Sequence, residues 1–355
     1  MNYKIVRLNT GIKTKKASSV LIIYTGGTLG MSYDDSGALV PFNFGQILEK
    51  IPILSNMNIE VTVISFPEPI DSSNVTMSHW MDMAYIITEN YDSYDGFVVL
   101  HGTDTMAYSA SMLSYMLEGL NKPVIFTGAQ LPISAMRSDA RENLMTSLEI
   151  ATAKSKGKPI VPEVCIFFNH MLLRGNRSKK VQSVHFDAFE SENYPILAEA
   201  GIVIDYNTTA IRSYEPNRKL VNRNKLDNGV MIVKLFPGIT DKILDACFAI
   251  PSLRGVVLET YGSGNSPSLS WFMKSLESAI KKGLILLNVS QCNGGRVIQG
   301  RYETSKELLA VGVVSGADMT TEAAVTKLMF LLGQKLSREE ICLQLTQSIA
   351  GEIST

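Results

Sequence analysis

Residues 20–31 read Val20-Leu21-Ile22-Ile23-Tyr24-Thr25-Gly26-Gly27-Thr28-Leu29-Gly30-Met31. A run that is apolar or aromatic at every position stops abruptly at a Thr-Gly-Gly-Thr turn. A run without alternation is the pattern of a strand covered on both faces, as in a parallel sheet sandwiched by helices. The same pattern recurs at 61–65 (VTVIS), 97–100 (FVVL), 124–126 (VIF) and 164–168 (VCIFF). It returns at 231–235 (MIVKL), 255–258 (GVVL), 284–289 (LILLNV) and 311–314 (VGVV). Helix-length segments lie between several of these runs, most clearly at 104–118 (DTMAYSASMLSYMLE) and 318–333 (DMTTEAAVTKLMFLLG). This alternation predicts an α/β fold with crossover helices.

Residues 187–228 break the alternation, being richer in polar, charged and turn residues. The expected organisation is therefore two α/β domains. A larger N-terminal domain spans 1–205, with a mainly parallel sheet flanked by helices. A linker spans 206–228, and a smaller C-terminal α/β domain spans 229–355.

The chain has 355 residues, of which 45% are hydrophobic and 19% charged, enough to bury a sizeable core. A net charge of −1 gives no global bias towards nucleic acid or an acidic membrane surface. The apolar runs are far short of a membrane span. The segment MNYKIVRLNTGIKTKKASS is polar and basic and lacks the apolar core of a secretory signal, so a cytoplasmic location is expected. The cysteines Cys165, Cys247, Cys292 and Cys342 lie far apart. The histidines His79, His101, His170 and His185 form no H-E-x-x-H set. Neither a disulfide framework nor a metal site is expected.

In open α/β sheets, ligands sit beyond the carboxyl ends of the strands, so the loops there carry the functional reading. They deliver Thr25-Gly26-Gly27-Thr28, then Asp71-Ser72-Ser73-Asn74, His101-Gly102-Thr103-Asp104-Thr105, Thr127-Gly128-Ala129-Gln130, and Arg174-Gly175-Asn176-Arg177-Ser178-Lys179-Lys180. Each loop alone has a bland reading. The first is a tight turn, since G-G-x-x-G is neither a dinucleotide fingerprint nor a phosphate loop. Thr103-Asp104 fits a helix cap, and 174–180 fits a solvated basic turn. Taken together they bring threonines, an aspartate and a lysine to one sheet edge, with no competing G-x-S-x-G serine elbow. A threonine hydroxyl needs a base to become a nucleophile. A lysine can be that base if desolvation lowers its pKa, with a carboxylate to orient it. Glycines clear space for a substrate, and backbone N–H groups can hold an oxyanion.

The segments Y-T-G-G-T-L-G-M and L-H-G-T-D-T-M-A-Y resemble the two signature motifs of the bacterial asparaginase family, closest to its cytoplasmic type I branch. D-S-S-N, T-G-A-Q-L-P, R-G-N-R-S-K-K, Y-G-S-G-N and V-S-Q-C-N-G-G follow in the same order, so the resemblance runs from about residue 18 onward. It implies hydrolysis of L-asparagine to L-aspartate and ammonia, without a cofactor or metal, by a homotetramer built as a dimer of dimers. By position, Thr28 resembles the first catalytic threonine. Thr103, Asp104 and Lys180 resemble the second threonine with its aspartate and lysine. Ser72 resembles the residue that holds the substrate α-carboxylate, and Asp104 the one that binds its α-amino group. Asp71, Ser73 and Ala129 match pocket-lining positions, and Asn265 a position contributed by a neighbouring subunit.

The chain departs from the pattern in two places. The tyrosine expected on the loop after the first motif is represented only by Tyr33, which comes early. Some type I members also share a second asparagine pocket near Y-G-x-G-N and S/T-Q-C. Cys292 is in place for it, but Glu259 stands where an arginine is expected and Lys179 where a small hydroxyl residue is expected. Two alternatives remain beside L-asparaginase: a glutaminase or other amide hydrolase of the same superfamily, and a nucleotide-binding α/β module using Gly26-Gly27 as a phosphate cradle. The archaeal glutamyl-tRNA amidotransferase subunit of the superfamily carries an extra N-terminal domain, whereas only about 20 residues precede the first motif here.

Overall fold

In the computed structural model, residues 3–8, 17–33, 39–41, 57–300 and 303–354 are described, without the side chains of 32, 33, 39–41 and 303–305. The chain forms two compact units, Met1–Ser191 with Pro195–Asn224, and Glu192–Tyr194 with Lys225–Thr355.

The first unit is built on a 9-stranded sheet. Its strands are β1 (Lys4–Leu8), β2 (Ser18–Gly26), β3 (Ile59–Ile70), β4 (Gly96–Leu100), β5 (Val124–Thr127), β6 (Val164–Phe168), β7 (Met171–Arg174), β8 (Ala198–Ala200) and β9 (Ile204–Tyr206). The spatial order is β1-β3-β2-β4-β5-β6-β7-β8-β9. The centre is parallel: β2 pairs with β3 and β4, β4 with β5, and β5 with β6. Both margins are antiparallel, β1 on β3 at one side and β7, β8 and β9 at the other. Val20, Leu21, Ile22 and Ile23 are all 0% exposed, as a strand without alternation demands.

The edges are where the sequence pattern is silent. Strands β7 to β9 are short and partly exposed, and an antiparallel strand needs no crossover helix to announce it. Strand β3 runs on through Pro67 and Pro69, past the 61–65 core. Its last pair with β1 is Lys4 with Ser65, so both prolines lie beyond that ladder, where a missing N–H costs nothing.

Three helices of this unit matter for the site: α1 (Met77–Glu89), α2 (Met106–Met116) and α3 (Ala140–Thr152). A capping box between Thr76 and His79 opens α1. Strand order reverses around β2, because β3 and β4 follow it in sequence yet lie on its two sides. That is a topological switch point, where the crevice at the strand ends forms a ligand site.

The second unit has a parallel sheet of β10 (Val230–Lys234), β11 (Gly255–Thr260), β12 (Ile285–Ser290) and β13 (Val314–Ser315), in that order. Its helices are α4 (Asp241–Phe248), α5 (Ser270–Lys281), α6 (Glu303–Ala310), α7 (Thr321–Gly333) and α8 (Arg338–Thr346). The run expected at 311–314 starts late, because Gly312 sits at φ +93° in a turn and pairing begins only at Val314. Helix α7 is buried nearly all round, including Lys327.

Candidate active site

Four loops from the carboxyl ends of β2, β3, β4 and β5 meet in the first unit. Close backbone contact sets their spacing. Gly26 (φ +136°) lies so near β3 that a Cβ there would fall 2.3 Å from the Ile70 carbonyl oxygen. At Gly27 (φ +87°) a Cβ would fall 2.6 Å from the Gly102 nitrogen. These glycines clear the way for neighbouring backbone rather than for open pocket space, which corrects the expectation that they make room for substrate. A side chain on Gly102 would in turn meet the Ser72 Oγ at 2.5 Å. The turn before Thr28, the loop before Thr103 and Ser72 are therefore stacked on one another.

Hydrogen bonds complete the stitching. The Thr25 hydroxyl donates to the Leu100 carbonyl at 2.9 Å, bonding the next strand instead of its own turn. The Thr105 hydroxyl donates to the Ser72 carbonyl at 2.7 Å. The Tyr24 hydroxyl donates to the Gly30 carbonyl at 3.1 Å and braces the single 3-10 turn Thr28–Gly30 from below. Burial pushes the Tyr24 phenol up to about 12, so it stays a donor.

The structure brings Thr103, Asp104 and Lys180 together. The Lys180 Nζ donates to the Thr103 Oγ1 at 2.7 Å and to the Asp104 Oδ1 at 2.7 Å. The lysine side chain is 17% exposed and the aspartate 63%, so the cluster opens to solvent on the aspartate side. The Thr103 hydroxyl itself donates to the Gln130 Oε1 at 3.3 Å. Gln130 is held in turn: its backbone N–H donates to both Asp139 oxygens, and its Nε2 donates to the His185 carbonyl at 3.0 Å. Ala129, the pocket-lining position expected from the sequence, is buried, and it is the adjacent Gln130 that meets Thr103. A polar amide directly after T-G-A at a strand end was the available signal.

The lysine loop is no solvated basic turn. Residues Arg174 to Ser178 are buried. Arg174 donates to the Glu163 carboxylate through Nε (2.6 Å) and Nη2 (3.3 Å), and to the Ala210 carbonyl at 2.9 Å. The Arg212 N–H also donates to the Glu163 Oε1 at 2.8 Å. A bidentate buried pair of this kind fixes both partners. It anchors the end of β7, from which the chain reaches the hairpin Lys179–Lys180 with Phe189–Glu190.

The remaining expected residues are placed as follows. Ser72 is buried at the start of a 3-10 turn, Ser72–Asn74. Asp71 is exposed and caps that turn by accepting the Ser73 N–H at 3.0 Å. Thr28 is half-buried at the mouth of β2. The side chain of Tyr33 lies outside the described residues. Asn265 belongs to the second unit, where it closes a tight turn through paired backbone bonds with Tyr261 at 2.8 and 2.9 Å. Among the described residues, no group of three His, Cys, Asp or Glu is arranged to hold a metal ion. No described helix is long and apolar enough to cross a membrane.

Chemically, the cluster offers a hydroxyl in contact with an amine, that amine in contact with a carboxylate, and a second threonine hydroxyl on an abutting turn. That set suits proton transfer and acyl transfer.

The chain is similar to known proteins over nearly its whole length. Residues 19–212 match the family model described as asparaginase, N-terminal, and residues 229–344 the glutaminase/asparaginase C-terminal domain. The L-asparaginase 1 of Escherichia coli K12 is 38% identical over 340 residues, covering 95% of this chain and 98% of that one. The human 60 kDa lysophospholipase is 40% identical over 359 residues; the match covers 94% of this chain but 61% of that longer protein. The crystal structure of L-asparaginase I from Vibrio cholerae O1 biovar eltor superimposes with a TM-score of 0.86 at 38% identity, covering 95% of this chain and 99% of that one.

Proposed function

The chain belongs to the asparaginase family, and on that premise we propose that it hydrolyses L-asparagine to L-aspartate and ammonia with Thr28 as the nucleophile. The observation that carries the reading is the three-way contact of Thr103, Lys180 and Asp104 beside the turn that bears Thr28.

In the first half-reaction the Thr28 hydroxyl oxygen attacks the carbonyl carbon of the substrate side-chain amide. The Thr28 proton leaves through the neighbouring polar groups, the C–N bond breaks, and ammonia departs with a proton. An aspartyl ester on Thr28 remains. In the second, water gives a proton to the Thr103–Lys180 pair and attacks the ester carbon. The ester C–O bond breaks, aspartate leaves and Thr28 recovers its proton. Lys180 serves as the base partner of Thr103, in contact with its hydroxyl at 2.7 Å. Asp104 holds the lysine and, being solvent-facing, also offers its carboxylate to the substrate α-amino group. Ser72 receives the α-carboxylate, Asp71, Ser73 and Ala129 line the pocket, and Tyr33 assists Thr28. Asn265 of a neighbouring subunit completes the site in a homotetramer, and the enzyme works in the cytoplasm.

The test is ammonia release from asparagine and glutamine, assayed in parallel, with wild type, Thr28→Ala and Thr103→Ala. Wild type is expected to turn over asparagine faster. Thr28→Ala is expected to abolish turnover and leave no adduct in rapid-quench mass spectrometry. Thr103→Ala is expected to slow turnover and to trap the aspartyl ester on Thr28. An ester mapped to Thr103, or substantial activity in Thr28→Ala, overturns the nucleophile; glutamine as the better substrate makes the protein a glutaminase.

A further inference from the structure

We propose that His101 is a positioning residue for the loop that carries Thr103: a neutral imidazole, protonated at Nδ1 and bare at Nε2, that pins the Gly102 carbonyl. The proposal rests on the asparaginase reading for the reaction it serves.

His101 ends β4 and is 1% exposed. Its Nδ1 lies 2.7 Å from the Gly102 carbonyl oxygen. A carbonyl only accepts, so the proton is on Nδ1. On the other side of the ring, Nε2 lies 2.9 Å from the Ser109 Oγ. The indole N–H of Trp80 points at the same Ser109 oxygen from 2.8 Å. An indole N–H only donates, so Ser109 accepts from Trp80 and gives its own proton to Nε2. The direction of every proton is thereby determined: Trp80 to Ser109, Ser109 to His101, His101 to Gly102. The chain joins α1 and α2 to the catalytic loop. Its histidine is packed against the Phe126 ring of β5 at a centroid distance of 5.8 Å.

The tautomer has a consequence for the site. Gly102 is the residue whose backbone abuts both Gly27 and Ser72. Turning its peptide would move the loop against both neighbours and shift Thr103, which follows it, away from the Lys180 amine. The ring is also kept uncharged. Burial is the main cause, pushing its pKa down to about 4; the Gly102 carbonyl opposes this, and His79 of α1, its titratable neighbour, adds to it. An added proton on Nε2 would face the Ser109 proton and force that hydroxyl to turn.

The experiment uses the full-length protein. Nitrogen-15 NMR of the His101 ring is expected to show the Nδ1–H tautomer, with no titration above pH ~5. His101→Leu is expected to remain folded by circular dichroism and to lose ~10- to 100-fold in kcat, with KM changing far less. His101→Asn, whose amide nitrogen can occupy the Nδ1 position, is expected to recover most of kcat. A purely structural role would lower Tm in both variants and leave kcat unchanged well below Tm. Should His101→Leu fail to fold, Ser109→Ala decides. It removes the proton given to Nε2, and is expected to mix the two tautomers and lower kcat. An Nε2–H tautomer in wild type, titration near 6.5, or full kcat in folded His101→Leu overturns the proposal. A wild type that hydrolyses no amide would instead refute the asparaginase reading, while the tautomer and titration still judge His101.

Discussion

Lys180 has two hydrogen-bond partners and both are groups with a proposed chemical role, Thr103 and Asp104. Lys180→Met keeps the length of the side chain and removes only the amine. Loss of a general base typically costs about 100- to 10,000-fold, so kcat is expected to fall by that order with an unchanged circular dichroism spectrum. Near-normal turnover would return the lysine to a structural role. His101 makes a separate prediction about acid. Its folded pKa, about 4, lies below the ordinary histidine value of 6.5. Between those values the unfolded chain binds the proton and the folded chain does not, so stability falls as pH drops through 6.5 and levels off below 4. A shift of this size corresponds to about 3 kcal/mol. Urea denaturation at a series of pH values should show this loss in wild type and a flatter profile in His101→Gln. Parallel profiles would mean that the histidine is protonated in the native state.

At the scale of the element, the C-terminal segment is latched by an ion pair with both side chains 0% exposed. Lys327 of α7 meets the Glu352 Oε1 at 2.6 Å. The Lys327 Nζ also donates to the Gln347 carbonyl at 2.6 Å and the Leu345 carbonyl at 3.3 Å, at the end of α8. Glu352 accepts the N–H groups of Ile349 and Ala350 in return. Burial pulls the lysine pKa down, and the Glu352 charge opposes it. Removing one partner strands the other in the interior, which costs about 3–5 kcal/mol. Lys327→Met is therefore expected to lower unfolding free energy by that order, read from urea midpoints at unchanged slope. A loss under ~1 kcal/mol would mean that water reaches the pair. The Glu163–Arg174 pair plays the corresponding part in the first unit, where it anchors the base of the lysine loop.

At the scale of the whole molecule, oligomerisation and regulation are the open properties. A light-scattering mass several times the 39.0 kDa of one chain is expected; a fully active sample at that single mass would refute the tetramer. Activation by asparagine at a second site is expected to be weak or absent. An arginine there would pair with the ligand carboxylate, whereas Glu259 presents a like charge. Its carboxylate is already engaged, accepting the Thr321 hydroxyl at 2.5 Å and lying 3.9 Å from the Lys234 Nζ. A sigmoidal rate curve abolished by substitution of Cys292 would contradict this.

What the sequence determined by itself is the fold class and the polar loops at the strand ends. Strands buried on both faces are largely apolar along their length, so β2 and its parallel neighbours were legible from the residue pattern alone. Polar side chains at strand ends were legible for the same reason, since hydroxyls, an aspartate and glycines stand out against such runs. The tertiary structure alone decided what each residue touches. Gly26 and Gly27 look like room for a ligand in the sequence, yet they are room for Ile70 and Gly102, contacts made by strands distant in the chain. Gln130 gained significance only when folding set it against Thr103. Taken alone, Arg174 and its loop read as solvated, because a basic run in one dimension cannot show that Glu163 will bury it. His101 looked like one histidine among four, and its tautomer follows only from Ser109 and Trp80, which two helices bring to the ring. Periodicity is a local property and burial pattern reveals it, but hydrogen-bond partners are a property of the folded chain.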